Sequence, residues 1–195
     1  MEPLYYNISP EVVAFSTRRE GGVGCGTYAT FNVNPFTGDN PLHVSRNLSI
    51  LADELGLDSE RIVIPRQIHG DKVAMSDGSS SLEGVHAVVT QTPGLCVCVS
   101  TADCIPVLLY DPKRGAVAAI HAGWRGTVAD IVGHTVAFMQ KHCGTVPNEL
   151  RAVIGPGIGL QAFEVGDEVY DAFRLAGFPM ERMSCRKNKW HIDLW

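Results

Sequence analysis

Ile105-Pro106-Val107-Leu108-Leu109-Tyr110-Asp111-Pro112-Lys113-Arg114-Gly115-Ala116-Val117-Ala118-Ala119-Ile120-His121 is the stretch that decides the fold. Two apolar runs flank Asp111-Pro112-Lys113-Arg114-Gly115, whose Pro and Gly suit a tight turn. Neither run alternates with polar residues, so the sheet they build is expected to be buried on both faces. Outward from this pair, further strands are expected within 61–69, 82–90 and 95–100. Val44, Leu48, Leu51, Ala52 and Leu55 recur at helical spacing after Asn40 as cap and Pro41 at the first position, with Gly56 as stop. Val128, Ile131, Val132, Thr135, Met139 and Cys143 predict a second helix, capped by Thr127 and stopped by Gly144. Val165, Val169, Ala172 and Phe173 predict a third over 165–176, ending at Gly177. The expected fold class is α/β: a single-domain mixed sandwich whose central sheet is flanked by helices.

The chain has 195 residues, 45% hydrophobic and 19% charged, which fits one globular domain over 1–195 and excludes global disorder. Lys and Arg number 16 against 21 Asp and Glu, a net charge of −5 with no basic run, which argues against nucleic acid as a partner. Apolar runs such as 95–100 and 105–110 fall far short of the ~20 residues a membrane helix needs. Met1-Glu2-Pro3 opens no basic and apolar leader, so a soluble, cytoplasmic protein is expected. Cys96 and Cys98 sit within an apolar run and are read as reduced thiols on one face of a strand.

Three apolar segments end in side chains that bind metals or attack carbonyls. They end in Gln67-Ile68-His69-Gly70, Thr101-Ala102-Asp103-Cys104 and His121-Ala122-Gly123-Trp124-Arg125-Gly126. Strand ends gather functional groups because the strands fix their positions while the loops leave them open. His69, Cys104 and His121 form a two-imidazole, one-thiol set that suits zinc with a fourth position free for water or substrate. The gaps of 35 and 17 residues match no short zinc signature. A hydrogen-bonded structural role for each histidine stays open. So does a metal-free reading with Cys104 as nucleophile and His121 as base, which would require an orienting Asp or Asn.

Arg125, before the helix expected near Thr127, is a candidate for holding an oxyanion or phosphate; the alternative is an arginine stacked on Trp124. Arg18 and Arg19, in the glycine-rich loop 18–26, invite the same reading. That loop lacks the phosphate-loop signature, and Gly155-Pro156-Gly157-Ile158-Gly159 has the wrong spacing for a dinucleotide fingerprint. His86, His134 and His142 are read as surface or structural.

The three strand-end motifs, with Gly38-Asp39-Asn40-Pro41, 154–159 and Phe163-Glu164-Val165-Gly166, resemble the YfiH-type family. That family carries the label multicopper polyphenol oxidase or laccase-like domain and is regarded as purine nucleoside phosphorylases, some of a peptidoglycan-editing type. The resemblance runs from about Phe15 to Trp195. It implies a YfiH-like fold, related to cysteine-hydrolase-like α/β architecture, and catalytic zinc held by His69, Cys104 and His121. It also implies phosphorolysis of adenosine and inosine, activity on methylthioadenosine, and some adenosine deamination, with purine nucleosides and phosphate as partners. Arg125 and Arg18 are then the candidates for phosphate. Copper is the less expected metal, since multicopper oxidases need a larger set of histidines. The alternatives carried forward are a metal-free cysteine hydrolase or amidase using Cys104 and His121, a laccase-like polyphenol oxidoreductase, and a non-catalytic protein. Three departures are visible: Thr17-Arg18-Arg19-Glu20-Gly21-Gly22 is one residue longer than the family's loop, His86 replaces a usual Asp, and the C-terminal Cys-Thr and Phe-Phe-Ser motifs are absent.

Overall fold

A computed structural model describes residues 1–68, 70–79 and 81–195. Its strands are β1 Leu4–Tyr6, β2 Ala14–Ser16, β3 Ile62–Val63, β4 Val73–Met75, β5 Ala87–Thr90, β6 Cys96–Val97, β7 Ile105–Asp111, β8 Ala116–Ala122, β9 Arg151–Ile154, β10 Glu164–Val165, β11 Ser184–Arg186 and β12 Trp190–Ile192. Its helices are α1 Pro41–Leu55, α2 Trp124–Val128, α3 Ile131–Cys143, α4 Asp167–Leu175 and α5 Met180–Met183.

The β7–β8 hairpin forms the middle of a five-stranded sheet ordered β4-β5-β8-β7-β9. The β4–β5 pair is parallel and the other pairs are antiparallel, so the sheet is mixed. Its register sets Val107 against Ile120 and Leu109 against Ala118 on one face, and Leu108 against Ala119 on the other. On the first face, Ile131 and Met139 of α3 pack over Val89, Val107, Ile120 and their neighbours. The opposite face meets the β1–β2 hairpin through Ile8 and Ala14, and the parallel β3–β6 pair through Val63 and Val97. Small residues at Ala116, Ala118 and Ala122 let α3 approach closely. Burial on both faces is therefore what the unbroken apolar runs required.

α1 begins and ends where its signals fall: the Asn40 side chain accepts from Leu42 N, and Gly56 closes the helix at φ 64°. The second helix departs from expectation. It starts at Trp124 with Gly123 as N-cap, stops at Val128, and restarts at Ile131 under Asp130. Thr127 is inside α2 and caps nothing; its hydroxyl donates to Gly123 O at 3.0 Å. The third helix starts at Asp167, later than the 165–176 reading, because Val165 is spent pairing with Trp190 across β10–β12. The strands within 61–69 and 95–100 shrink to Ile62–Val63 and Cys96–Val97, which pair with each other in parallel. α4, α5 and β10–β12 enclose a second core around Phe173 and Ile192, joined to the main sheet through Trp124 and Val128 of α2.

Candidate active site

The expected trio is brought together in part. His69 lies outside the described residues. Cys104 immediately precedes β7 and His121 lies near the end of β8, so the hairpin carries both to one end of the sheet. Pro106 pairs with His121, and His121 N donates to His86 O at 2.8 Å, which fixes the strand end against β5. A methyl group on Gly123 would lie 3.0 Å from Cys104 Sγ and 3.6 Å from His121 Nε2. Sulfur and nitrogen thus flank the space that this glycine leaves open. They line a cleft of about 40 Å³ together with Gly70, His86, Gly123, Trp124, Arg125 and Gly126.

The Gly155–Gly159 segment proves to be a buttress. Ile158 N donates to Asp103 O at 2.7 Å, and a Cβ on Gly157 would fall 3.0 Å from Asp103 O and 3.2 Å from Cys104 O. Only glycine admits backbone that close, so this segment sets where Cys104 stands.

Gln67, from the first strand-end motif, also belongs to the site. Its Nε2 donates to Ser100 O at 3.0 Å, and its Oε1 accepts from Ser100 N at 2.7 Å. This double bond to one residue orients the amide, and Nε2 also lies 2.6 Å from His121 Nδ1. Gln67 thus abuts Nδ1 and leaves Nε2 of the same ring to face the thiol.

His86 is 2% exposed and stacks on His121, ring centroids 6.0 Å apart at 21°. It therefore belongs to the cleft and not to the surface. His134 does lie on the surface, 3.3 Å from Asp71, and His142 stacks on Phe138 at 4.2 Å. Burial, then the Asp103 carboxylate, push the Cys104 thiol up from its ordinary value. Its own surroundings therefore do not prepare a thiolate nucleophile.

Arg125 lies at the cleft with its guanidinium 4.2 Å from the centre of the Trp124 ring. The stacking alternative thus holds alongside its place in the cleft. The helix-terminus rationale fails, because Arg125 is the second residue of a five-residue helix rather than a neighbour of a long one. Arg18 is exposed; its neighbour Thr17 lines a separate, larger cavity with Thr101 and Ala102. Arg19 closes its own loop, Nε donating to Ala29 O at 2.7 Å.

The donor chemistry fits a zinc-type ion: a thiol and an imidazole nitrogen face one open space, with His69 next in sequence to the lining residue Gly70. Among the described residues no group of three His, Cys, Asp or Glu side chains converges on one point. Nor, among them, is any helix long and apolar enough to cross a membrane.

Fold and cleft together define a mixed α/β protein with a soft thiol–imidazole site at the ends of its central strands. The chain belongs to the family described as multi-copper polyphenol oxidoreductase laccase, which it matches over residues 13–195. It is 48% identical over 204 residues to a purine nucleoside phosphorylase of Bacteroides thetaiotaomicron, covering 98% of this chain and 74% of that relative. It is 40% identical over 208 residues to adenosine deaminase RL5 of an unknown prokaryotic organism, covering 100% of this chain and 79% of the relative. The crystal structure of YlmD from Geobacillus stearothermophilus matches with a TM-score of 0.90 at 29% identity, over 97% of this chain and 75% of that one.

Proposed function

We propose that this chain is a zinc-dependent purine nucleoside phosphorylase acting on adenosine and inosine, and on methylthioadenosine. The observation that carries the reading is the open space between Cys104 Sγ and His121 Nε2, with Arg125 in the same cleft. The similarity to a purine nucleoside phosphorylase supports the reaction class. Cys104, His121 and His69 would hold the metal, which supplies Lewis-acid polarisation and an activated water when bound.

In phosphorolysis a phosphate oxygen forms a bond to ribose C1′ as the bond from C1′ to the purine nitrogen breaks, and the base leaves with the electron pair. The phosphate must be held where positive charge develops on the sugar. The Arg125 guanidinium is a rigid fork that donates two parallel hydrogen bonds to an oxyanion. Its stacking on Trp124 limits its rotation, so less freedom is lost when phosphate binds. Gln67 orients His121, and the buried His86 ring supports it from behind. Adenosine deamination at the same cleft is a second reading, favoured by the 40% identity to an adenosine deaminase.

Replacing Arg125 tests the assignment of roles. Arg125→Lys keeps the charge but loses the fork, and should raise the phosphate concentration needed for half-maximal rate by roughly 10- to 100-fold, as loss of a charged hydrogen bond implies. Zinc content should not change. Equal phosphate dependence in Arg125→Lys and wild type, with zinc retained, would leave Arg125 only a structural role.

A further inference from the structure

Cys96 and Cys98 take no part in the proposed site, yet both are free thiols whose sulfurs lie 3.6 Å apart. The two-residue repeat of extended chain puts them on one side of their strand. Both are half-buried and line a cavity of about 860 Å³ bordered by the β1–β2 hairpin and α1. The contact between them separates their acidities: it holds the Cys96 thiol below its ordinary value and, together with burial, pushes Cys98 up. Cys96 is thus the readier of the two to attack. The segment that carries them also leads to the cleft. Cys98 N donates to Val63 O at 2.9 Å. Two residues on, Ser100 holds the Gln67 amide at both ends, and that amide lies 2.6 Å from His121 Nδ1.

We propose that Cys96 and Cys98 are a thiol–disulfide modification site, oxidised by a low-molecular-weight disulfide, and that closing it loosens the hold of Gln67 on His121. The Cys96 thiolate attacks one sulfur of the small disulfide, whose S–S bond breaks and releases one small thiol. Cys98 then gives up its proton and attacks the Cys96 sulfur of the mixed disulfide, releasing the second. Two protein thiols are oxidised to one disulfide, and one small disulfide is reduced to two thiols. Two residues of extended chain span roughly 6.6–7.2 Å, at the limit of what a disulfide bridges, ~6.8 Å between Cα atoms. Drawing the sulfurs from 3.6 Å to about 2.05 Å therefore shortens the chain locally. The shortening pulls on the pairing of Cys96 with Ile62, on the Cys98 bond to Val63, and through Ser100 on Gln67. A disulfide working against its strand in this way is readily reduced again, which suits a switch rather than a staple.

The effect on zinc rests on the proposed function; closure of the bond does not. The test is to equilibrate the reduced protein with oxidised glutathione and to locate the products by intact mass and peptide fragmentation. Wild type should lose the mass of two hydrogens, with the bond between Cys96 and Cys98, and dithiothreitol should restore it. Cys98→Ala, which keeps a small side chain against the core, should stop at a glutathione adduct on Cys96. In the cross-linked protein the Ser100 amide, which donates to Gln67 Oε1, should exchange faster with solvent. Zinc should bind that protein roughly 10- to 100-fold more weakly, as loss of a ligand's supporting partner implies. An unchanged mass would overturn the site, as would a bond to another cysteine or a two-hydrogen loss that persists in Cys98→Ala. Unchanged Ser100 exchange, or unchanged affinity in a protein that does hold zinc, would overturn the coupling. A chain that holds no zinc would sink the proposed function, while the mass and exchange readouts still decide this inference.

Discussion

At the scale of single residues, the site depends on two features of modest chemistry. Gly123 holds open the space between sulfur and imidazole, and its φ of −76° suits any residue, so Gly123→Ala would act through space alone. Zinc content measured by elemental analysis should fall well below one per chain while the melting temperature stays within a few degrees. Full zinc in that variant would put the metal elsewhere. Gln67 fixes the His121 ring through Nδ1. Loss of such a supporting partner typically costs 10- to 100-fold in metal affinity, so Gln67→Leu should bind zinc that much more weakly in a competition titration. Unchanged affinity would make the contact incidental. Cys104 and His121 were legible in sequence because both stand where an apolar run breaks. Gln67 and His86 were not, since a glutamine near a strand end and a histidine between apolar residues read equally well as structure.

Among the elements, the break between α2 and α3 matters most. Continuous helical spacing from Val128 to Cys143 hides it, because the apolar periodicity survives the interruption. Asp130 sits at φ 56° and its side chain accepts from Gly133 N. A left-handed non-glycine residue costs roughly 1–2 kcal/mol, and a lost cap about 1 kcal/mol. Asp130→Ala should therefore lower stability by about 1–2 kcal/mol in urea titration, and Asp130→Gly by less, because glycine takes positive φ without strain. Equal losses would mean that backbone strain at this position is negligible. The β7–β8 hairpin, α1 and β5 were readable because they fall in apolar runs or helical repeats bounded by clear breaks. The strands β1, β4, β11 and β12 were not, being three residues each and fixed by pairing partners distant in sequence.

Over the whole molecule, an antiparallel hairpin buried on both faces places a thiol and an imidazole at one sheet end, and an arginine on the next short helix joins them. The central claim is that this cleft cleaves purine nucleosides with phosphate. The direct measurement is to incubate the zinc-loaded protein with adenosine, with and without phosphate, and to identify the products by chromatography and mass. The account predicts adenine and ribose 1-phosphate in equal amounts, only when phosphate is present, and none from Cys104→Ser or after chelation of the metal. Adenine released at the same rate without phosphate, or full product formation by Cys104→Ser, would contradict it.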